Sequence, residues 1–341
     1  MLSAINLGIS KLDEVFIIAE AGVNHNGSLE NAMKLIDMAK KCGANAIKFQ
    51  KKHLFHGKTV YAGEKKTKPK NLLEQDTFQE FSQEKFKQLQ TYAKKKGIIF
   101  CASAWDESSA DFLVDLGIPF LKIGSHDLTN FPLLEHVAKK KIPLVISTGM
   151  ADLDTVREAY EIVSMHNQQV ALLQCTSCYP TRNSDINLNI IKTYQKEFTK
   201  CVIGYSGHEK GHIASLGAVA LGAKIIERHI TLNKNMEGPE HIASLEEQEL
   251  SNLVSQIREM ELCLGSTDKK RLDCEKTTFQ TRSKSLVLAQ NVKKGEVILR
   301  CHLTTRSPAA GISPTQIYYV LGRKFNSDLA KGSVLLEEYI R

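Results

Sequence analysis

Two histidines, His208 and His229, close consecutive segments of one stretch, VIGYSGHEKGHIASLGAVALGAKIIERHIT over Val202–Thr231. An apolar run ends in Gly204-Tyr205-Ser206-Gly207-His208, and the amphipathic segment Gly211–Leu221 follows. A second apolar run, Lys224-Ile225-Ile226, ends in Glu227-Arg228-His229. The pattern predicts strand, helix, strand. In a parallel sheet or barrel the C-terminal ends of successive strands lie side by side on one face, so both imidazoles can reach one metal ion. A single histidine at such a position is more simply a hydrogen-bonding group at a strand end. The pair, with Ser206 and Glu227 beside it, favours a site.

Other predicted strand ends carry matching residue types. The first offers Glu20, Asn24 and His25, the second Lys48 and Gln50, the third Ser103 and Trp105, and the fourth Lys122, Ser125 and Asp127. A later one adds Ser177 and Tyr179. Lysines neutralise phosphate, hydroxyls and strand-end amides orient it, and a metal polarises an oxygen. Each residue alone is weak evidence. Their convergence on one face points to a phosphorylated substrate beside a metal.

The elements that must position them follow from hydrophobic pattern. Strands are predicted at Val15–Gly22, Asn45–Gln50, Gly97–Ala104, Phe120–Ser125, Leu144–Gly149 and Val170–Thr176, with the two above as seventh and eighth. Helices alternate with them, including Leu29–Cys42 with Ser28 as N-cap, and Glu107–Leu116. Eight apolar strands at about 25–35-residue spacing are the sequence form of a (β/α)8 TIM barrel. A doubly wound open sheet is disfavoured, because no glycine-rich dinucleotide loop follows the first strand. The last barrel helix is read as Leu245–Leu264. Residues 1–265 are therefore expected to form the barrel, 266–284 a polar, basic linker, and 285–341 a small domain of short strands and turns. Alone that domain would bury a marginal core.

Composition fits a soluble globular protein: 42% hydrophobic and 24% charged over 341 residues. No apolar run approaches the ~20 residues that span a bilayer, so no membrane partner is expected. Met1–Glu14 lacks a basic flank before an apolar core, which predicts no export signal and a cytoplasmic protein. The eight cysteines are scattered, as suits reduced thiols, and Cys175-x-x-Cys178 without a second pair reads as a strand end. The net charge of +7 concentrates partly in Lys65, Lys66, Lys68 and Lys70, read as a solvated loop. No aromatic residues interleave with these lysines, so nucleic acid is not expected.

The segments IIAEAGVNHNG, KIGS-x-D, QCTS-x-YP, GYSGHE and ALGAKIIERHITL together resemble the sialic acid synthase family, and the tail resembles its antifreeze-like (SAF) domain. The resemblance covers nearly the whole chain. It implies a (β/α)8 barrel joined to a SAF domain, in a domain-exchanged homodimer. It also implies condensation of phosphoenolpyruvate with an N-acylated hexosamine such as N-acetylmannosamine, giving a nine-carbon 2-keto sugar acid and phosphate. By the same resemblance His208 and His229 would hold Mn2+ or Mg2+. Lys48, Lys122, Ser125 and Ser206 would bind phosphoenolpyruvate, with Ser177 at a position held by Asn in some members. Glu20, Gln50, Asp127, Tyr179 and Glu240 would lie near the sugar, the metal or the nucleophilic water. Ser103 and Glu227 join the site as strand-end residues, Glu227 among the catalytic carboxylates. Glu20 is the first choice as general base.

Two departures stand out. Asp127 is one methylene shorter than the Glu of many bacterial members. Bacterial members usually carry Lys-Arg-Pro-Gly-x-Gly-Ile-Ser-Pro in the small domain; here Ser307 stands at the Arg position and Arg306 one place earlier. Either Arg306 takes over by a register change or the contact is lost. GYSGHE and ASAWDE look more like animal enzymes that use the 6-phosphorylated sugar, and the phosphorylation of the sugar stays open. The alternatives are a Schiff-base pyruvate aldolase using Lys48 or Lys122, and a non-catalytic sugar- or ice-binding protein.

Overall fold

Eight short apolar runs become eight parallel strands that close on themselves: β1 (Phe16–Gly22), β2 (Ala46–Lys51), β3 (Ile99–Ala104), β4 (Leu121–Ile123), β5 (Leu144–Ser147), β6 (Val170–Cys175), β7 (Val202–Gly207) and β8 (Ile225–His229). In this computed structural model, which describes residues 14–52 and 80–341, each strand pairs with its sequence neighbours and β8 returns to β1. The N-terminal segment before Glu14 and the run Lys65, Lys66, Lys68 and Lys70 lie outside the described residues. The (β/α)8 barrel expected from the pattern is the observed fold.

Period-two alternation divides each strand between two cores. Phe16, Ile18, Ala46, Cys101, Phe120, Val145, Ala171, Leu173, Val202 and Ile225 cluster as one core, inside the barrel. The intervening residues, such as Ile17, Ile47, Ala102, Leu121, Ile146, Leu172, Ile203 and Ile226, pack with the helices in a second. Further along the inward rows come Glu20, Lys48, Ser103, Lys122, Ser147, Cys175, Ser206 and Glu227, and then His229. The interior is thus apolar below and polar at the C-terminal end of the strands.

The helices are α1 (Leu29–Lys41), α2 (Gln83–Lys96), α3 (Glu107–Asp115), α4 (Phe131–Lys139), α5 (Leu153–Ser164), α6 (Ile190–Glu197), α7 (Ile213–Ala220) and α8 (Glu247–Leu264). Their starts are chemically marked. The Ser28, Ser82, Asp106, Asn130 and Asp152 side chains each accept a backbone N–H of the first turn. Strand β4 is shorter than the pattern suggested. Ser125–Asp127 forms a 3-10 turn instead, and the Ser125 hydroxyl accepts the Gly149 N–H at 3.0 Å. No helix among the described residues is long and apolar enough to cross a membrane. All eight cysteines are free.

Residues 266–341 form a second compact unit. It contains α9 (Lys276–Arg282), the antiparallel pair β9 (Ser285–Leu288) and β10 (Leu303–Arg306), and the short α10 (Ile317–Val320). Its own core gathers Leu286, Leu288, Val292, Ile298, Leu303, Ile312, Val320, Phe325, Leu335 and Ile340. Buried Ser285 organises the loop after β10: its hydroxyl donates to Pro308 O and accepts the N–H groups of Ala310 and Gly311. Arg306, at the end of β10, is exposed.

Candidate active site

A cavity of about 390 Å³ opens at the C-terminal end of the barrel strands. Of the residues expected there, Glu20, Lys48, Gln50, Ser103, Trp105, Lys122, Ser125, Ser177, Tyr179, Ser206, His208, Glu227, His229 and Glu240 line it. Ser147, His126, Met150, Cys175 and Pro239 also line it and were not anticipated. Ser147 could have been found, since it continues the inward row of β5. Cys175 likewise continues the inward row of β6, whereas His126, Met150 and Pro239 come from segments that carry no strand periodicity.

Three expected residues face elsewhere. The Asp127 carboxylate accepts from Asn130 Nδ2 and lies 2.9 Å from His126 Nε2, away from the cavity lining. Asn24 Nδ2 donates to Ile230 O and Ser244 Oγ, tying two loops together. His25 stacks on Phe81 at 4.1 Å between ring centroids. Both Asn24 and His25 come after Gly22, where β1 has ended and the chain turns away. Arg306 belongs to the second compact unit.

One side of the cavity is built from buried charge. Lys48 Nζ lies 3.0 Å from Glu20 Oε2 and 3.6 Å from Glu227 Oε1, and donates to Ser103 Oγ at 2.9 Å. Lys122 Nζ lies 3.7 Å from the same Glu227 oxygen and donates to Ser147 Oγ at 2.7 Å. Ser206 Oγ donates to Glu227 Oε1 at 3.2 Å, and Gln50 Nε2 donates to Glu20 Oε1 at 3.2 Å. Burial alone would raise the Glu227 carboxyl, but Lys122 and Lys48 hold it well below the usual carboxylate range. Burial wins at Glu20, whose carboxyl is raised despite Lys48 beside it. Among the lysines the outcome also splits. Burial would lower both; the two carboxylates raise Lys48, whereas Lys122 ends lowered.

The other side holds the imidazoles. The His208 and His229 rings lie 5.2 Å apart between centroids, and Tyr179 packs over His208 at 4.0 Å. His208 Nδ1 is 2.9 Å from Thr176 O, which can only accept, so Nδ1 carries the hydrogen and Nε2 the lone pair. Burial lowers His208, which favours that neutral form. His229 Nδ1 and Glu240 Oε2 are 3.3 Å apart, without hydrogen-bond geometry, and both atoms are buried and unsatisfied. Glu240 is admitted by Gly22, which has φ +50°; a Cβ there would sit 2.4 Å from Glu240 Oε2. Burial would raise Glu240, but His229 beside it holds the carboxyl down at about 2.

These residues suit a cation. Two lysines share the lining with three carboxyl groups (Glu20, Glu227 and Glu240), and Glu240 stands on the side of the two imidazoles. Of the two neighbouring histidines, His208 has its Nδ1 fixed by a carbonyl, an outer-sphere arrangement typical of metal-ligating imidazoles. Among the described residues no group of three or more His, Cys, Asp or Glu is arranged to hold a metal. The imidazole pair alone would leave most coordination positions to substrate and water.

A closed parallel barrel with buried ionisable groups at the carboxyl ends of its strands defines the class: a barrel enzyme with its chemistry on that face. The NeuB family profile matches residues 35–269, and a SAF domain matches residues 283–341. The human N-acetylneuraminate-9-phosphate synthase is 43% identical over 95% of this chain and 92% of its own length. The N,N'-diacetyllegionaminic acid synthase of Legionella pneumophila is 40% identical over 95% of this chain and 94% of its own. The crystal structure of an N-acetylneuraminic acid synthetase from Leptospira borgpetersenii, in complex with citrate, superimposes with a TM-score of 0.71 at 34% identity, covering 78% of this chain and 90% of that one. The chain belongs to the NeuB family of sialic acid synthases.

Proposed function

We propose that this enzyme condenses phosphoenolpyruvate with an N-acylated hexosamine, free or 6-phosphorylated, using a divalent cation (Mn2+ or Mg2+) held by His208 and His229. The products are a nine-carbon 2-keto sugar acid and phosphate. The observation that carries this reading is the pairing, in one cavity, of two buried lysines with an imidazole pair.

Lys48 and Lys122 bind the phosphate and carboxylate of phosphoenolpyruvate, with Ser103, Ser125, Ser147, Ser177 and Ser206 supplying hydroxyls. Glu227 serves as their shared counter-ion. It is pinned between two ammonium groups and held ionised, so it positions the lysines and does not trade protons near neutral pH. The cation, when bound, draws charge from the sugar aldehyde oxygen. C3 of phosphoenolpyruvate then adds to the aldehyde carbon, and positive charge develops at C2. Water adds there and gives one proton to Glu20, which passes it to the sugar oxygen. The adduct collapses to the ketone by breaking the C2–O bond, and its hydroxyl proton leaves with phosphate. Raised by burial and oriented by Gln50, Glu20 is suited to taking and returning a proton. Tyr179 and Glu240 sit on the histidine side, where the sugar would lie. We further propose a homodimer in which the SAF domain of one chain completes the partner's site.

The test is mass spectrometry of products from phosphoenolpyruvate with a panel of aldehyde sugars, phosphorylated and not. With 18O in the bridging position, the label should appear in phosphate. Label retained in the keto acid would overturn the C–O cleavage.

A further inference from the structure

Each of the two histidines has a charged neighbour in the chain that never reaches the cavity: Glu209 after His208, and Arg228 before His229. Both side chains are 0% exposed. Strand alternation turns Arg228 away from Glu227 and His229, to the outer wall of β8 under α7. Arg228 Nη1 donates to Glu209 Oε1 at 2.8 Å, to Gly211 O at 2.8 Å and to Ser215 Oγ of α7 at 3.1 Å. Nη2 donates to Glu209 O at 2.7 Å. One guanidinium therefore grips the side chain and the main chain of the residue next to His208. Tyr205 Oη donates to the other Glu209 oxygen at 2.7 Å.

The backbone reinforces the link. Gly207 of β7 pairs with Arg228 of β8, which sets His208 and His229 one step further along neighbouring strands. A Cβ at Gly207 would lie 2.5 Å from Glu209 Oε2, so the carboxylate crosses where only glycine leaves room. On its far side, His208 O accepts the N–H of Thr181 at 3.1 Å.

Stability does not explain such a pair. Taking two charges out of water is costly, and apolar replacements of similar volume are often as stable or more so. A rigid tie between the ends of β7 and β8 does explain it. We propose that the Glu209–Arg228 ion pair is a positioning clamp that fixes the separation and aim of His208 and His229 and so sets the cation affinity of the site. This rests on the proposed role of the two histidines as cation ligands.

The test measures two ligands on the full-length protein. Mn2+ binding is followed by electron paramagnetic resonance of the free ion, and phosphoenolpyruvate binding by the fluorescence of Trp105, the only tryptophan, which lines the cavity. In the double variant Glu209→Leu/Arg228→Met the Mn2+ dissociation constant should rise about tenfold or more, the scale typical of lost outer-shell partners. The constant for phosphoenolpyruvate, whose proposed lysines lie on β2 and β4, should stay level. Arg228→Lys, which keeps the charge but loses the fork, should fall between wild type and the double variant. Unchanged Mn2+ binding in the folded double variant, or equal loss of both ligands, would overturn the clamp. If the double variant does not fold, the near-isosteric Glu209→Gln decides by the same two constants. Wild type without Mn2+ binding that His208→Ala abolishes would overturn the cation reading itself, and the clamp with it.

Discussion

The two sides of the cavity differ in what faces their carboxylates. On the lysine side nearly every charge has its answer: Lys48 between Glu20 and Glu227, Lys122 between Glu227 and Ser147. Glu20 Oε2 and Glu227 Oε2 on this side, like Glu240 Oε2 on the other, lack hydrogen-bond partners, but on the histidine side the neighbour of the carboxylate is the His229 imidazole, whose Nδ1 is also unpaired. Buried polar atoms are rarely left so, and exceptions concentrate where function needs them. The lysine side is a preorganised receptor for an anion, its geometry set by neighbours of opposite sign. The histidine side offers imidazole nitrogens and a carboxylate, donors that can ligate a cation. The difference teaches that a site can place fixed charge in one half and exchangeable chemistry in the other.

The largest effect should come from the histidine side. His208→Ala and His229→Ala should each abolish turnover and most Mn2+ affinity while the barrel stays folded, because each removes one of two imidazoles. Normal turnover after chelation and added Mn2+ would break the comparison at its centre.

Lys122→Ala sharpens it from the other side. The apparent KM for phosphoenolpyruvate should rise about ten- to a hundredfold, the worth of a charge-assisted contact, with the sugar constant little changed. A larger effect on the sugar would place Lys122 in the wrong half.

Arg306→Ala asks whether the SAF domain adds to the sugar half. Its effect should be smaller, about three- to tenfold on the sugar KM if the exposed guanidinium contacts the sugar, with phosphoenolpyruvate level. An unchanged sugar constant would mean that Arg306 has not replaced the bacterial arginine. Mixing a chain truncated after Ser266 with full-length His208→Ala chains tests the exchanged dimer: heterodimers should regain some activity only if the domain acts in trans.

Outside the comparison, His25 gives a modest pH effect. Burial lowers it to about 4, and its Nδ1 accepts the Gly27 N–H as a neutral ring must. Between pH ~6.5 and ~4 the unfolded chain binds this proton and the folded one does not. Stability from this group is therefore complete above about 6.5 and lost as pH falls towards 4, by at most ~3 kcal/mol. His25→Phe, which keeps the stacking on Phe81, should melt with a weaker acid dependence than wild type. Parallel curves would refute the assignment.

Much of this was legible in the sequence, for a physical reason. Alternation along a barrel strand fixes which residues point inward, so Glu20, Lys48, Ser103, Lys122, Ser206, Glu227 and His229 follow from where each apolar run stops. Ser147 obeys the same rule. The rule ends with the strand: Asn24 and His25 follow Gly22 and turn into loop packing, and the tight turn at Ser125–Asp127 sends Ser125 to the cavity but Asp127 to Asn130 and His126. Glu240, His126 and Met150 come from loops without a period; Glu240 was reached only through family resemblance. The Glu209–Arg228 pair was hidden because its residues sit beside stronger signals and face the other way.

The most direct test is a crossed pair of binding titrations, Mn2+ and phosphoenolpyruvate, on His208→Ala and Lys122→Ala. The division of the cavity predicts that His208→Ala loses Mn2+ and retains phosphoenolpyruvate, and that Lys122→Ala does the reverse. Loss of phosphoenolpyruvate alone in His208→Ala, or of Mn2+ alone in Lys122→Ala, would contradict it.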